Sequence, residues 1–196
     1  GGLSCEAALW WSQPGIMNNA VLVHPRGRPD RRWPVTLAVW DDGTQALAEH
    51  FPWIRAECRR RRAVLVLNVS GVGTLTPNPL SYCYAPRECY GVVHKLADDL
   101  TWLGDDLAAL RTFDVLRALD MIAAWPRLDA RDVRVYAHGK HGLYGQLAGA
   151  LDGRIRQVRV EGGLGSFARL VRTRLYDSFD VKSVLLRGVL QYFDLP

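Results

Sequence analysis

Residues 137–142 read Ala-His-Gly-Lys-His-Gly. They follow an apolar run, "VRVYA" at 133–137, and lead into a small-residue stretch running from Gly142 to about Leu151. A strand that turns sharply into a helix, with small flanking residues, is the setting in which G-x-S-x-G presents a nucleophile. Laid on this stretch, the motif puts Ala137 at its first Gly place, Gly139 at the Ser place and His141 at its second Gly place. A shift of one residue centres Lys140 between His138 and Gly142. Neither register carries Ser, Cys, Thr, Asp or Glu at the tip. Gly139 has nothing with which to attack, and Lys140 would need a depressed pKa and a carbonyl substrate to form a Schiff base. His138 and His141 would need a third ligand such as Asp152 or Glu161 to hold a metal. Nothing in the spacing requires that convergence. His138, Gly139, Lys140 and His141 are therefore read as the border of a vestigial pocket, with no metal and no cofactor.

The other sequence features are weaker. "GVGTLT" at 71–76 lacks the third glycine and the following helix of a dinucleotide fingerprint. "GGLGSF" at 162–167 could offer backbone N–H groups to an anion, or form the turn into a helix near 166–173. Ser70 and Ser166 sit in no elbow, and His24, His50 and His94 are isolated and read as surface or loop residues. Cys83 and Cys89 flank a loop and would pair if the chain is exported; no cysteine shows zinc spacing. The formal charge is +5 and basic and acidic residues interleave. The densest basic run, Arg59–Arg62, reads as a solvated helix end favoured by the helix dipole, so nucleic acid is not expected as a partner. No apolar run has the roughly 18–20 residues that span a bilayer, so no membrane partner is expected. The chain opens Gly-Gly-Leu with no signal-peptide pattern, as a processed or excised piece would.

Positioning these residues requires a sheet. Strand-like runs fall at 16–25, 33–40, 63–69, 133–137 and 157–162. Those at 34–40 and 63–69 are almost continuously apolar, as strands covered on both faces are. Helical patterns lie between them: 44–62, interrupted at Pro52; 105–126, with a stripe of Leu107, Leu110, Leu116, Leu119 and Ile122; 142–151; 166–173; and 181–193. The alternation predicts βαβ units: an α/β three-layer sandwich, a mostly parallel sheet with helices on both faces, whose first strand (16–25) is antiparallel. The chain reads as one domain over residues 1–196. Trp10 and Trp11 are expected to pack, and the irregular aromatic region 71–95 is expected to line a crevice or meet a partner.

In order and texture the chain resembles the α/β hydrolases, in particular the acetyl-xylan-esterase-like and prolyl-oligopeptidase-like branch. "WPVTLAVWDDG" is similar to the strand whose following loop supplies an oxyanion-hole amide, which would make Gly43 and Thr44 the oxyanion loop. "AVLVLNVSGVGTL" resembles the next strand, with Asn68 and Ser70 in the Asp and Arg places of an Asp-x-Arg-Gly-x-Gly run. "LGDDLAALRTFDVLRALDMIAAWPRLDARDVRVYAHGKHG" looks like the long helix and elbow strand, and "GALDGRIRQVRVEG" like the following helix end and strand. The resemblance implies a truncated α/β-hydrolase fold. It also implies an acid and a histidine on strands later than any present here, so the domain would be a fragment lacking the last strands, secreted or periplasmic.

The expected function is a degenerate, non-catalytic carbohydrate-esterase-like domain that supports adjacent domains of its polypeptide or a protein partner. The alternatives are an active esterase on ester-substituted carbohydrate, and a module binding carbohydrate or protein through Tyr82, Tyr84 or Tyr90.

Overall fold

The computed structural model describes residues 2–27, 32–77, 91–173 and 181–195. Six strands form one sheet in the order β1-β2-β4-β3-β5-β6: β1 Leu3–Gln13, β2 Ile16–Pro25, β3 Trp33–Val39, β4 Ala63–Asn68, β5 Leu128–His138 and β6 Ile155–Glu161. β3, β4, β5 and β6 run parallel; β1 is antiparallel to β2, and β2 to β4. The 16–25 strand is thus antiparallel, as expected, but it lies beside β4 rather than beside its successor β3.

The helices are α1 Leu47–Arg59, α2 Val92–Trp102, α3 Leu107–Ala124, α4 Gly142–Leu151, α5 Phe167–Arg172 and α6 Val181–Val184. α1 covers one sheet face, where Ile54 and Cys58 pack on Val23, Ala38, Val64 and Val66. α3 and α4 cover the other, where Val115, Leu119, Leu143 and Ala148 meet Val35, Leu37, Leu65 and Val135. Alternate residues of β3 thus enter opposite layers, which is why its sequence is apolar throughout. The result is the expected three-layer sandwich.

Several local expectations change. α1 runs unbroken through Pro52. Pro52 and Ala48, whose carbonyl loses its i+4 partner, both lie on the exposed side, where water can take that oxygen. The pattern at 181–193 gives only α6 and a 3₁₀ turn over 189–191, because Gly188 between them takes φ +71°. β1, which is not among the strand-like runs picked out from the sequence, is a full eleven-residue strand. α2 occupies the end of the supposedly irregular 71–95 region. Trp10 packs on the core while Trp11 is largely exposed. His24 is buried, its Nε2 2.9 Å from Glu6 Oε1. Arg62 is also buried, donating to Thr36 Oγ1, Val35 O and Asp132, so the arginine run is solvated only in part. Cys83, Cys89 and the three loop tyrosines lie outside the described residues; Cys5 and Cys58 are free thiols.

Candidate functional site

The carboxyl ends of the parallel strands bring four segments together: the loop after β3 (Asp41–Thr44), the loop after β4 (Asn68–Leu75), the turn after β5 (His138–His141) and the Gly162-Gly163 loop after β6. Crevices at this edge of an open α/β sheet are where ligands bind.

The turn after β5 has one strained residue. His138 is extended, with φ −120°, Gly139 takes φ +59°, and residues 139–141 form a single 3₁₀ turn into α4. The tip is therefore Gly139, with Lys140 already inside the turn. Left-handed backbone is costly for residues with a Cβ and free for glycine. Small flanks let the turn close: a Cβ on Gly142 would lie 2.4 Å from Val160 Cγ1, and one on Gly163 2.5 Å from the same atom.

Asp41 fills the space in front of the tip. Among the described residues, its Oδ2 is the heavy atom that a Cβ on Gly139 would meet, at 3.4 Å. Its Oδ1 lies 3.1 Å from Lys140 Nζ and 3.0 Å from His141 Nε2. The hydrogen bond from His141, seconded by Lys140, holds the Asp41 carboxyl well below the usual carboxylate range despite partial burial. His141 is fully buried, edge-on to the Tyr144 ring, and burial pushes its pKa down against the pull of Asp41. The consistent state is a neutral imidazole donating Nε2–H to an ionised Asp41, with the buried Nδ1 unpartnered among the described residues. The sequence reading missed Asp41 because it belongs to a different loop, 100 residues away from His141.

Gly43 and Thr44 are positioned by Asn68. The Gly43 N–H donates to Trp40 O at 3.2 Å, and the Thr44 N–H to Asn68 Oδ1 at 2.7 Å. Both amides are engaged within the chain, so neither is aimed at the tip. Asn68 Nδ2 in turn donates to Asn19 Oδ1, Thr44 Oγ1 and Thr74 Oγ1. A Cβ on Gly43 would sit 1.9 Å from Asn68 Oδ1, so a glycine is required there for contact as well as for its φ of +49°.

Behind the turn, Arg111 of α3 donates to Ser70 O, Tyr144 OH and Ser183 Oγ. Asp114 accepts the Ser70 N–H at 2.7 Å, and burial raises its pKa. These buried polar groups tie the β4 loop, α4 and α6 together. Ser70 thus serves through its backbone. Ser166 caps α5, and the anion on the "GGLGSF" amides is the chain's own Asp194 carboxylate, which accepts from Phe167 N, Ala168 N and Ser166 Oγ. Neither proposed third metal ligand joins the histidines: Asp152 is held by Arg154, and Glu161 by Tyr136 and Arg159.

No family model matches this sequence, and no curated protein does. Solved structures do match. An acetyl xylan esterase from Paenibacillus sp. R4 is 19% identical, with a TM-score of 0.59, over 91% of this chain and 60% of that one. The α/β hydrolase GrgF from Penicillium sp. sh18 is 13% identical, with a TM-score of 0.57, over 82% of this chain and 46% of that one. The fold is thus that of the α/β hydrolases, and this chain spans about half the length of the structures it matches.

Proposed function

We propose that this is a non-catalytic α/β-hydrolase-like domain, related to carbohydrate esterases, that acts by supporting or contacting another domain or protein. One observation carries the reading. The position where such a fold presents its nucleophile is Gly139, and the side chain facing it, Asp41, is bound to Lys140 and His141. Acyl transfer needs a nucleophile, a base to take its proton and two donors for the oxyanion. His141, in the same turn, has its Nε2 turned onto Asp41 and its ring buried. Asp41 is itself too acidic to accept a proton readily near neutral pH. The Gly43 and Thr44 amides, which the resemblance would assign to the oxyanion, already have acceptors.

The test is hydrolysis of p-nitrophenyl acetate and acetylated xylan, together with labelling by a fluorophosphonate probe. The expected result is no turnover above buffer and no covalent adduct. Turnover that disappears on changing His138, Lys140 or His141 would overturn the reading.

A further inference from the structure

The arginine run at the end of α1 sits in a setting its sequence neighbourhood does not reveal. Arg55, Arg59, Arg60 and Arg61 are exposed at and beyond the last turns of α1. Two grooves flank that end of the helix. One, of about 130 Å³, runs over the β5–β6 face and is lined by Arg60, Arg134 and Arg159 above Trp53 and Tyr136. The other, of about 210 Å³, lies toward the β1–β2 hairpin and is lined by Arg26, Arg55 and Arg59 above Leu3 and Cys58. The hairpin groove lies at the amino-terminal ends of the parallel strands, and the other extends along β5 and β6 to Tyr136 and Arg159.

The helix dipole accounts for a cation or two in the last turn of α1. It does not account for Arg26, Arg134 and Arg159, which arrive from three other strands. Within this surface the carboxylates are Glu57, paired with Arg60, and Glu161, paired with Arg159; Asp132 is bound by the buried Arg62 and lies 4.0 Å from Arg134. Arg26, Arg55, Arg59 and Arg61 form no ion pair among the described residues. Seven arginines against Glu57 and Glu161 leave an excess of five positive charges, equal to the whole chain's formal +5.

We infer that this surface docks an acidic polypeptide segment. Charge complementarity sets the sign of the partner. The grooves set its type. Each is the size of one or two side chains: the one beside the hairpin has Leu3, Pro25 and Cys58 among its arginines, and the one over β5–β6 has Thr36, Glu57 and Gln157 as well as Trp53 and Tyr136, which suits acidic residues interspersed with polar and apolar ones. A nucleic acid would want a free aromatic face for its bases. Here the Trp53 and Tyr136 rings stack on each other at 4.4 Å, and Trp40 is buried against both.

Fluorescence anisotropy of the whole chain with a fluorescein-labelled oligoglutamate peptide tests this, with a single-stranded DNA of equal formal charge as the comparison. The peptide is expected to bind at low salt and to be released as salt rises. Arg59→Glu/Arg60→Glu/Arg61→Glu should weaken it about tenfold or more, while Arg172→Glu, on α5, leaves it unchanged. The milder Arg59→Gln/Arg61→Gln, with an unchanged melting temperature, should weaken it in the same direction. Absence of peptide binding at low salt, or binding indifferent to these changes, overturns the inference. DNA bound more tightly than peptide overturns it in favour of a nucleic acid. Ester turnover would sink the non-catalytic reading and leave this surface untouched, so the two fail separately.

Discussion

Restoring a serine at the tip is the sharpest perturbation available. Gly139→Ser adds a Cβ whose neighbour among the described residues is Asp41 Oδ2 at 3.4 Å, an ordinary contact, so the side chain fits. The cost is conformational: φ is +59°, and a residue with a Cβ in left-handed backbone loses roughly 1–2 kcal/mol. A hydrogen bond from the new hydroxyl to Asp41 would return about 0.5–1.5 kcal/mol. The net change is a loss of about 1 kcal/mol or less, which is about 2–4 °C in melting temperature for a domain of this size. Gly139→Ala, which cannot form that bond, should lose the full strain. Neither variant should hydrolyse p-nitrophenyl acetate, because the hydroxyl meets an ionised, weakly basic carboxylate and His141 is turned away from it. Calorimetry of the two variants beside the native chain, with a parallel ester assay, checks both halves. A serine variant that turns over ester would show a competent base and oxyanion donors in place, and would refute the account of this site. A loss above about 3 kcal/mol would refute the claim that a side chain at the tip meets Asp41 at ordinary contact distance.

Asn68→Ala should cost about 1–3 kcal/mol in urea unfolding, because it strands the Thr44 N–H, while Asn19 Oδ1 keeps the Thr74 hydroxyl as donor. Arg62→Met should cost about 2–4 kcal/mol by the same measurement, since Val35 O, Thr36 and Asp132 lose their donor, and Arg60→Met, at an exposed site, under 1 kcal/mol. Asp114 has its pKa raised by burial, so its contribution to stability is largest below the ordinary carboxylate pKa and is lost as pH rises through the raised value. Asp114→Asn keeps an acceptor for the Ser70 N–H and should flatten that part of the stability-versus-pH curve. His141 has its pKa lowered, so its contribution is complete above the ordinary histidine pKa and is lost as pH falls toward the lowered value. His141→Gln should remove that acid-side loss, read by thermal unfolding across the range.

What could be read from the sequence was whatever the backbone layers impose. β3 and β4 are legible because both faces are buried and every residue is apolar. The turn at 137–142 is legible because Gly142 is required by contact with Val160 and Gly139 by its φ of +59°. β1 was blurred because its alternate residues Cys5, Ala7, Leu9 and Trp11 face outward with no helix over them, so neither polarity nor periodicity marks it as a half-buried strand. The polar residues that build the site were largely hidden, since their partners lie far along the chain: Arg62 with Asp132 at a separation of 70, Arg111 with Ser183 at 72, and His141 with Asp41 at 100. Spacing rules cannot reach that far. Arg111 was especially hard to see, because it sits within a helix whose leucine stripe explains that helix without it.

The elbow shows why a fold can be read more securely than an activity. Its shape is fixed by packing: Gly142 and Gly163 close on Val160, Gly145 and Gly149 let α4 lie on Val158, and Gly162 approaches Gly139 N. None of these contacts uses a nucleophile, a base or an oxyanion donor. A strained strand-to-helix turn is therefore stable with glycine at its tip, and more relaxed there than with serine. The polar groups beside the turn also make structural contacts. Asp41 carries negative charge in front of Gly139; Lys140 balances it, and the neutral His141 donates to it, so that together they pin the β3 loop to the head of α4. Residue types that support catalysis elsewhere hold two loops together here, so their presence at an elbow is evidence of the fold before it is evidence of an activity.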